Sequence, residues 1–459
     1  MRKAVFLLVL LLVLVTGSTA WGAVSEREEV SDCILTRGKF AVMLVQAANM
    51  GAIQDGEAAA RLLVEKGILR GYPDGDLKLD RGITRLEATV LVGRTLGLKD
   101  GIEVPEWMGA PKNELPQGYW GYDLYNWISR LGLVKGDAYD VLTEAQGTEF
   151  LNKVFTSDAR AKDILNKVKK KERELMENFG LRTGVECSMK MIARPGVEGA
   201  EKIPQVEGKV YTVQEMVWPD KIHQTTTISM NIPGEEQQEF TFEMYFVDGK
   251  MYQQMPDPDT GKLTWYRWPE DMLPGMEQII EQAAIQTQAV PPELEEFIHY
   301  QMLGTKEIEG EEVYEIAFYG RVDDFEKFMK AAMNWFGNGE QLQQFAGLVA
   351  QMLDSMSYWG IQYVDVDEYV TRGMQSASLI TCAEEFMGRP VPLKAEEMTM
   401  ELEEYEFSDG IEIEVPEEVL NAPLLELPSK EETSKLPPSP REEAPDLLLE
   451  EKDTSLAME

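Results

Sequence analysis

Two periodicities divide the chain. Up to about residue 179 apolar positions recur at the 3.6-residue spacing of amphipathic helices; after Gly184 they alternate at a period of two. In "GVECSMKMIAR" the residues Val185, Cys187, Met189 and Met191 share one side, and Glu186, Ser188 and Lys190 share the other. "FTFEMYFVDGKMYQQM" places Phe242, Met244 and Phe246 together and turns at Asp248-Gly249, a two-residue hairpin signal. "MTMEL" repeats the alternation through Met398, Met400 and Leu402, and "IEIEV" through Ile411, Ile413 and Val415. Further strands are expected near 208–218, 221–231, 262–268, 312–320 and 361–386, with helical insertions near 270–286 and 322–353. Long strands with one apolar face predict an antiparallel sheet carrying helices on that face.

The helical part contains a repeat. "ILTRGKFAVMLVQAANMG" (34–51), "GITRLEATVLVGRTLGL" (82–98) and "VLTEAQGTEFLNKVF" (141–155) each start a helix at a threonine: Thr36, Thr84 and Thr143. Upstream of the second and third copies lies another amphipathic helix, expected to end in left-handed glycine caps at Gly71 and Gly136. A charged amphipathic helix, 158–179, joins this part to the strands.

The tetrad Thr84-Arg85-Leu86-Glu87 reads in two ways. Thr at the N-cap with Glu three residues on is a capping box, and Thr143 with Gln146 makes another. Neither explains Arg85 or Arg37 at the first helical position, where a cation opposes the helix dipole unless an anion is bound. Capping alone and anion binding both remain open at this level. The loop carboxylates Asp74, Asp76 and Asp80 lack the glycine and bidentate glutamate of a calcium loop, so no metal is expected.

The stretch "GILRGYPDGDLKLDRGITRLEATVLVGRTLGL" resembles the S-layer homology (SLH) domain in its Gly-Tyr-x-Asp-Gly loop, Thr-Arg-x-Glu tetrad and following apolar helix. The resemblance spans about 34–52, 56–99 and 117–157 and implies noncovalent attachment to acidic secondary cell-wall polysaccharide. It assigns polymer contacts to Arg37, Arg85, Thr84, Asp74, Gly75 and Trp120. The first copy lacks its leading helix and the third has Glu144 in place of the arginine, so one or two working sites are expected. The later region, 158–420, resembles the LolA/LppX-like superfamily of exported lipid and lipoprotein carriers: an opening helix, Met-alternating strands, "YFVDGKMYQQ" and the closing "MTMELEEYEFSDGIEIEVPEEV". That resemblance implies an unclosed barrel, a large curved antiparallel sheet with helices on its concave side. The expected fold class is therefore α+β and multidomain. A hydrophobic groove would be lined by Met189, Met191, Phe242, Met244, Phe246, Met398 and Met400, beneath helices carrying Met329, Met333, Met352 and Met356. Methionine equally fills ordinary cores, and that reading stays open.

The remaining composition narrows the functions. Residues 1–20 read as a secretory signal peptide: Arg2 and Lys3, an apolar run to Val15, then Ser18 and Ala20. Net charge of −37 argues against nucleic acid, which needs clustered Lys and Arg. Only His223 and His299 are present, so no histidine triad or zinc site is expected, and no cofactor. Cys187 and Cys382 are expected as buried thiols rather than a bridge. The tail, 421–459, is acidic and proline-rich and reads as disordered. Three functions compete. The first is a secreted, wall-attached, nonenzymatic protein binding a lipid or other hydrophobic ligand. The second is a structural cell-envelope protein with no ligand. The third is a wall-active enzyme, for which no catalytic constellation stands out.

Overall fold

The computed structural model describes residues 33–98, 115–116, 118–203, 207–219, 221–231, 238–257, 260–269, 294, 297–336, 350–386 and 388–425. The expected signal peptide, the expected helix at 270–286 and the tail beyond 425 lie outside them. Among the described residues the N-terminal module contains α1 (Arg37–Ala47), α2 (Gly56–Glu65), α3 (Arg85–Thr95), α4 (Tyr122–Arg130) and α5 (Glu144–Phe155). Thr36, Thr84 and Thr143 are their N-caps as expected, and the capping boxes Thr84–Glu87 and Thr143–Gln146 both form. α2 and α4 end earlier than the glycine signals suggested. The left-handed residues are Gly67 and Gly132, both at φ +69°, four residues before the expected caps Gly71 and Gly136.

The three copies close on each other through their pre-helix residues. Leu35 N–H donates to the Leu142 carbonyl, Leu142 N–H to Ile83, and Ile83 N–H to Leu35, each 2.9 Å. A second ring follows one step on: Arg37 N–H donates to Arg81, Arg85 N–H to Asp140, and Glu144 N–H to Cys33. A cyclic exchange of this kind satisfies the first amides of each helix from the neighbouring copy, so no copy is complete alone.

Helix α6 (Ala159–Met176), capped by Asp158, leads into one 11-stranded antiparallel sheet. Its strands are β1 (Gly180–Ala193), β2 (Glu207–Val217), β3 (Lys221–Asn231), β4 (Gln238–Val247), β5 (Lys250–Pro256), β6 (Leu263–Arg267), β7 (His299–Ile308), β8 (Glu311–Val322), β9 (Leu353–Asp365), β10 (Thr371–Cys382) and β13 (Leu393–Ser408). Helix α7 (Phe325–Phe336) follows β8; β11 (Glu385–Phe386) and β12 (Arg389–Pro390) form a separate hairpin. The order is β6-β5-β4-β3-β2-β1-β13-β10-β9-β8-β7, and the edge strands do not pair with each other, so the sheet is not a closed barrel. Asp248 and Gly249 both take positive φ, as a two-residue hairpin turn requires.

Three expectations are corrected. Met356 lies in β9, not in a helix, and β7 had no counterpart in the periodicity reading. Ile411, Ile413 and Val415 form no strand: β13 already sits between β1 and β10, which leaves no ladder edge beside it. Ile413 instead packs with Tyr245, Val247, Tyr252 and Val419, the last in the short helix α8 (Glu417–Leu420).

Each side of the sheet is covered by helices over its β7–β10 half. Ala161, Ile164, Leu165 and Val168 of α6, with Phe325, Phe328 and Met329 of α7, pack on Ile316, Phe318, Met356, Tyr358, Met374 and Ile380. The N-terminal module docks on the opposite side, where Ala317, Tyr319, Trp359, Ala377, Leu379 and Ala395 join its core. Trp127 meets Trp359 edge-to-face at 4.8 Å. Tyr319 Oη donates to the Val154 carbonyl at 2.7 Å, and Arg321 donates to the carbonyls of Arg94 and Thr95 at the end of α3.

Candidate functional site

Strand alternation decides what the α6/α7 side of the sheet presents. Three cross-strand rows run along it. The first is Tyr358–Ser378–Met398–Met189–Gly208–Met230. The second is Gly360–Ser376–Met400–Cys187–Val210–Ile228–Phe240. The third is Gln362–Met374–Leu402–Val185–Thr212–Thr226–Phe242. A bulge between Gly184 and Val185 preserves the face, so Tyr405, Thr183, Gln214, Gln224 and Met244 continue it, then Phe407, Leu181, Met216, Ile222 and Phe246. All seven groove residues named from the sequence therefore share one face.

Burial along these rows is graded. Met374, Met398 and Phe246 are buried, Met189, Met191, Met244, Met400 and Phe242 are half-buried, and Phe240 is 50% exposed. The cover from α6 and α7 lies over β7–β10, so the β1–β4 half is the accessible part among the described residues. The reverse side of these strands is polar. Arg182 bridges Glu404 and Glu215 at 2.8 Å each, and His223 lies 3.5 Å from Glu215 and 3.3 Å from Glu243. The apolar residues of that reverse side, Tyr245 and Val247 of β4, are already covered by Ile413 and Val419.

Three titratable groups on this face and its covering helix are perturbed by burial. Burial pushes the Cys187 thiol up to about 11, which keeps it protonated and unreactive. Burial also raises the carboxyl of Glu396, which faces Ile380 and Met191 across its two strands. Glu172 of α6 is raised by burial although it accepts the Thr371 N–H at 2.9 Å. None of the cysteines is bridged. Cys187 and Cys382 stand on β1 and β10 with β13 between them, about 10 Å apart from strand spacing alone, beyond disulfide reach. Among the described residues no group of three metal-ligating side chains occurs.

In the N-terminal module the arginines already have anions. Arg37 is 6% exposed; its Nη1 is 3.2 Å from Glu87 and its Nε donates to the Leu77 carbonyl at 2.9 Å. Arg85 Nη1 pairs with Asp140 at 2.9 Å and donates to the Asp137 carbonyl. Gly136, packed against that guanidinium, stands at φ +107°, a conformation side-chain-bearing residues rarely adopt, so the loop needs glycine there. The cation at the first helical position is thus answered by the next copy, through Glu87 of α3 for Arg37 and loop residue Asp140 for Arg85, which a single-repeat reading could not supply. Asp74 is occupied too: it pairs with Lys78 at 3.1 Å and accepts the Asp76 N–H, while Gly75 turns at φ +82°.

The expected polymer contacts consequently fall into two places. Arg37, Asp74 and Gly75 belong to a cluster around Tyr72, whose ring lies under Arg37 (4.9 Å), Lys78 (4.2 Å) and Arg81 (5.4 Å). Tyr72 Oη donates to Glu87 at 2.5 Å and accepts from Arg81 at 2.7 Å. Thr84 caps α3, Arg85 reaches the loop of the third copy, and Trp120 is 50% exposed just before α4. Tyr119 and Tyr139 stack edge-on at 5.9 Å in that second place, an aromatic pair not singled out in the sequence.

A cleft of about 430 Å³ lies where the module meets the sheet, lined among others by Asn49, Lys66, Phe297, His299, Arg321 and Asp323. None of the seven groove residues lines it. Burial depresses His299 to about 4, so the ring is neutral.

The family described as "Family of unknown function (DUF6612)" matches residues 160–423, more than half of the chain. No curated protein matches. Among solved structures, LprF from Mycobacterium bovis is 10% identical, with 57% of this chain and 99% of that chain covered at a TM-score of 0.27. Mycobacterium tuberculosis lipoprotein LppX is 8% identical, with 55% and 98% covered and a TM-score of 0.24. A DUF1329 family protein from Desulfovibrio piger is 8% identical, with 55% and 95% covered and a TM-score of 0.16. Likenesses of this size carry no argument about ligand or activity.

Proposed function

We propose that this chain, which belongs to the DUF6612 family, is a nonenzymatic cell-surface protein whose sheet holds a lipid or other long-chain apolar ligand. The observation that supports this most is the incompletely covered apolar field over β13 and β1–β4, which runs through Met400, Met189, Ile228, Phe242 and the exposed Phe240. Apolar surface removed from water there gains about 25 cal/mol for each Å², less the cost of immobilising the ligand. A chain of several methylenes needs no polar contact to be held. The competing reading is a structural envelope protein with no ligand, in which the same face is simply an incompletely covered core. Native mass spectrometry of the full mature chain after bacterial expression separates the two. Copurifying lipid, displaced by added fatty acid, is expected; a ligand-free protein that also fails to bind a fluorescent fatty acid leaves the structural reading.

The N-terminal module is proposed to attach the protein noncovalently to acidic secondary wall polysaccharide. The resemblance of its loop and tetrad to SLH repeats supports this, together with the cyclic three-copy arrangement and the exposed Trp120 and Tyr139. Secretion follows from the same reading; no described helix is long and apolar enough to cross a membrane. Cosedimentation with purified acidic wall polymer is expected to weaken with salt and to fall in Trp120→Ala and Arg81→Gln. Binding indifferent to salt and to both substitutions removes the attachment reading. Arg37→Ala and Arg85→Ala are poorer probes, because both side chains hold the module together.

A further inference from the structure

Two buried polar side chains stand out on this face where the helix cover ends. Glu396 on β13 is 5% exposed. Its row neighbours are Ile380 and Met191, with Met356 beyond Ile380. Burial raises its carboxyl, and among the described residues no cation or hydrogen-bond donor is recorded against it. Ser378 on β10 is also 5% exposed, and its Oγ has no hydrogen-bond partner. Ser378 faces Met398, two residues from Glu396 on the same side of β13. The two are thus diagonal neighbours, roughly 7–8 Å apart at their backbones, a distance one small head group spans. Arg194, just past the end of β1, does not serve Glu396: it donates to the carbonyls of Cys382, Ala383 and Val391 and pairs with Glu384. Lys190, next to Met191, faces the other side with Glu397.

Buried polar atoms without partners are few in folded proteins, and each costs the desolvation it does not recover. A carboxyl of this kind, set beside a hydroxyl at the boundary between the helix-covered and the open parts of an apolar face, is complementary to a cation that arrives with its own hydrocarbon. We propose that Glu396 and Ser378 form the head-group site of the apolar face, and that the ligand is an amphiphile bearing an ammonium group. The chain lies toward Met189, Met400 and Phe242, and the ammonium reaches the Glu396 carboxylate and the Ser378 hydroxyl. An anionic head would meet the carboxylate as a like charge and is disfavoured. The inference rests on the proposed ligand-holding role of this face and adds the chemical class of the ligand.

The test uses the full mature chain and the neutral fluorescent probe N-phenyl-1-naphthylamine, displaced by dodecylamine, dodecanol or dodecanoate. Dodecylamine is expected to displace the probe at least about tenfold more tightly than dodecanoate. Glu396→Gln should remove that advantage, and Ser378→Ala should reduce it, while dodecanol competes equally well against all three proteins. If dodecanol and dodecanoate bind but dodecylamine has no advantage, or Glu396→Gln keeps the advantage, the head-group site is overturned and the apolar face stands. If no amphiphile and no probe binds the wild-type chain, the ligand-holding role fails and this inference with it.

Discussion

Trp359 tests how the two parts of the chain are joined. It is buried on β9, opposite Tyr319 of β8 and beside Ala377 of β10, and its ring meets Trp127 of α4 edge-to-face at 4.8 Å. Trp359→Ala removes a large indole from a core shared by the module and the sheet. The transfer and cavity terms for such a truncation come to about 3–5 kcal/mol. The edge-to-face geometry adds about 0.5–1.5 kcal/mol, which a double-mutant cycle with Trp127→Leu isolates. Part of the loss falls on the junction itself, because Trp359 contacts α4 from the sheet. Guanidinium unfolding followed by far-UV circular dichroism and by tryptophan fluorescence is the assay. In the wild type the two probes should report one transition. In Trp359→Ala the helical module and the sheet should separate into two. A variant that loses less than about 1 kcal/mol, or keeps coincident transitions with a coupling energy near zero, would refute a shared core.

Other outcomes follow from the same contacts. Glu87→Ala removes the acceptor for Arg37, Tyr72 and the Thr84 N–H together, leaves a buried guanidinium without its anion, and should cost about 3–5 kcal/mol by thermal or chemical unfolding. Burial raises the folded-state value for Glu396, so the stability it contributes is fully present below the unfolded carboxyl value of about 4.3 and is lost as pH rises through the folded value. Glu396→Gln should therefore lose less stability than the wild type between pH 5 and pH 8; an unchanged or steeper loss contradicts this. Thiol labelling of the denatured, unreduced protein should count three reactive cysteines, while in the native protein Cys187 and Cys382 should react slowly because burial pushes both thiols up to about 11. Tyr319→Phe deletes the bond to the Val154 carbonyl and the contact with Gln301, and should cost about 1–2 kcal/mol, below Trp359→Ala in the same assay.

The sequence by itself determined whatever depends on local spacing. Period-two alternation put Met189, Met191, Phe242, Met244, Phe246, Met398 and Met400 on one face, because a strand offers only two sides and register then follows from burial. Thr84 with Glu87 and Thr143 with Gln146 fixed the starts of α3 and α5, since a capping box is completed within four residues. Three kinds of fact required the tertiary structure. Arg37 and Arg85 suggested absent anions only while their own repeat was considered; Glu87 and Asp140, from other copies, supply them across the ring. The alternation of Ile411, Ile413 and Val415 looks like a strand, yet pairing needs an unoccupied edge, and strand order is a long-range property. The docking of the module on the back of the sheet, through Trp127 and Trp359, left no mark in either periodicity. Each half is regular on its own, and only the folded chain shows that one buried face is shared between them.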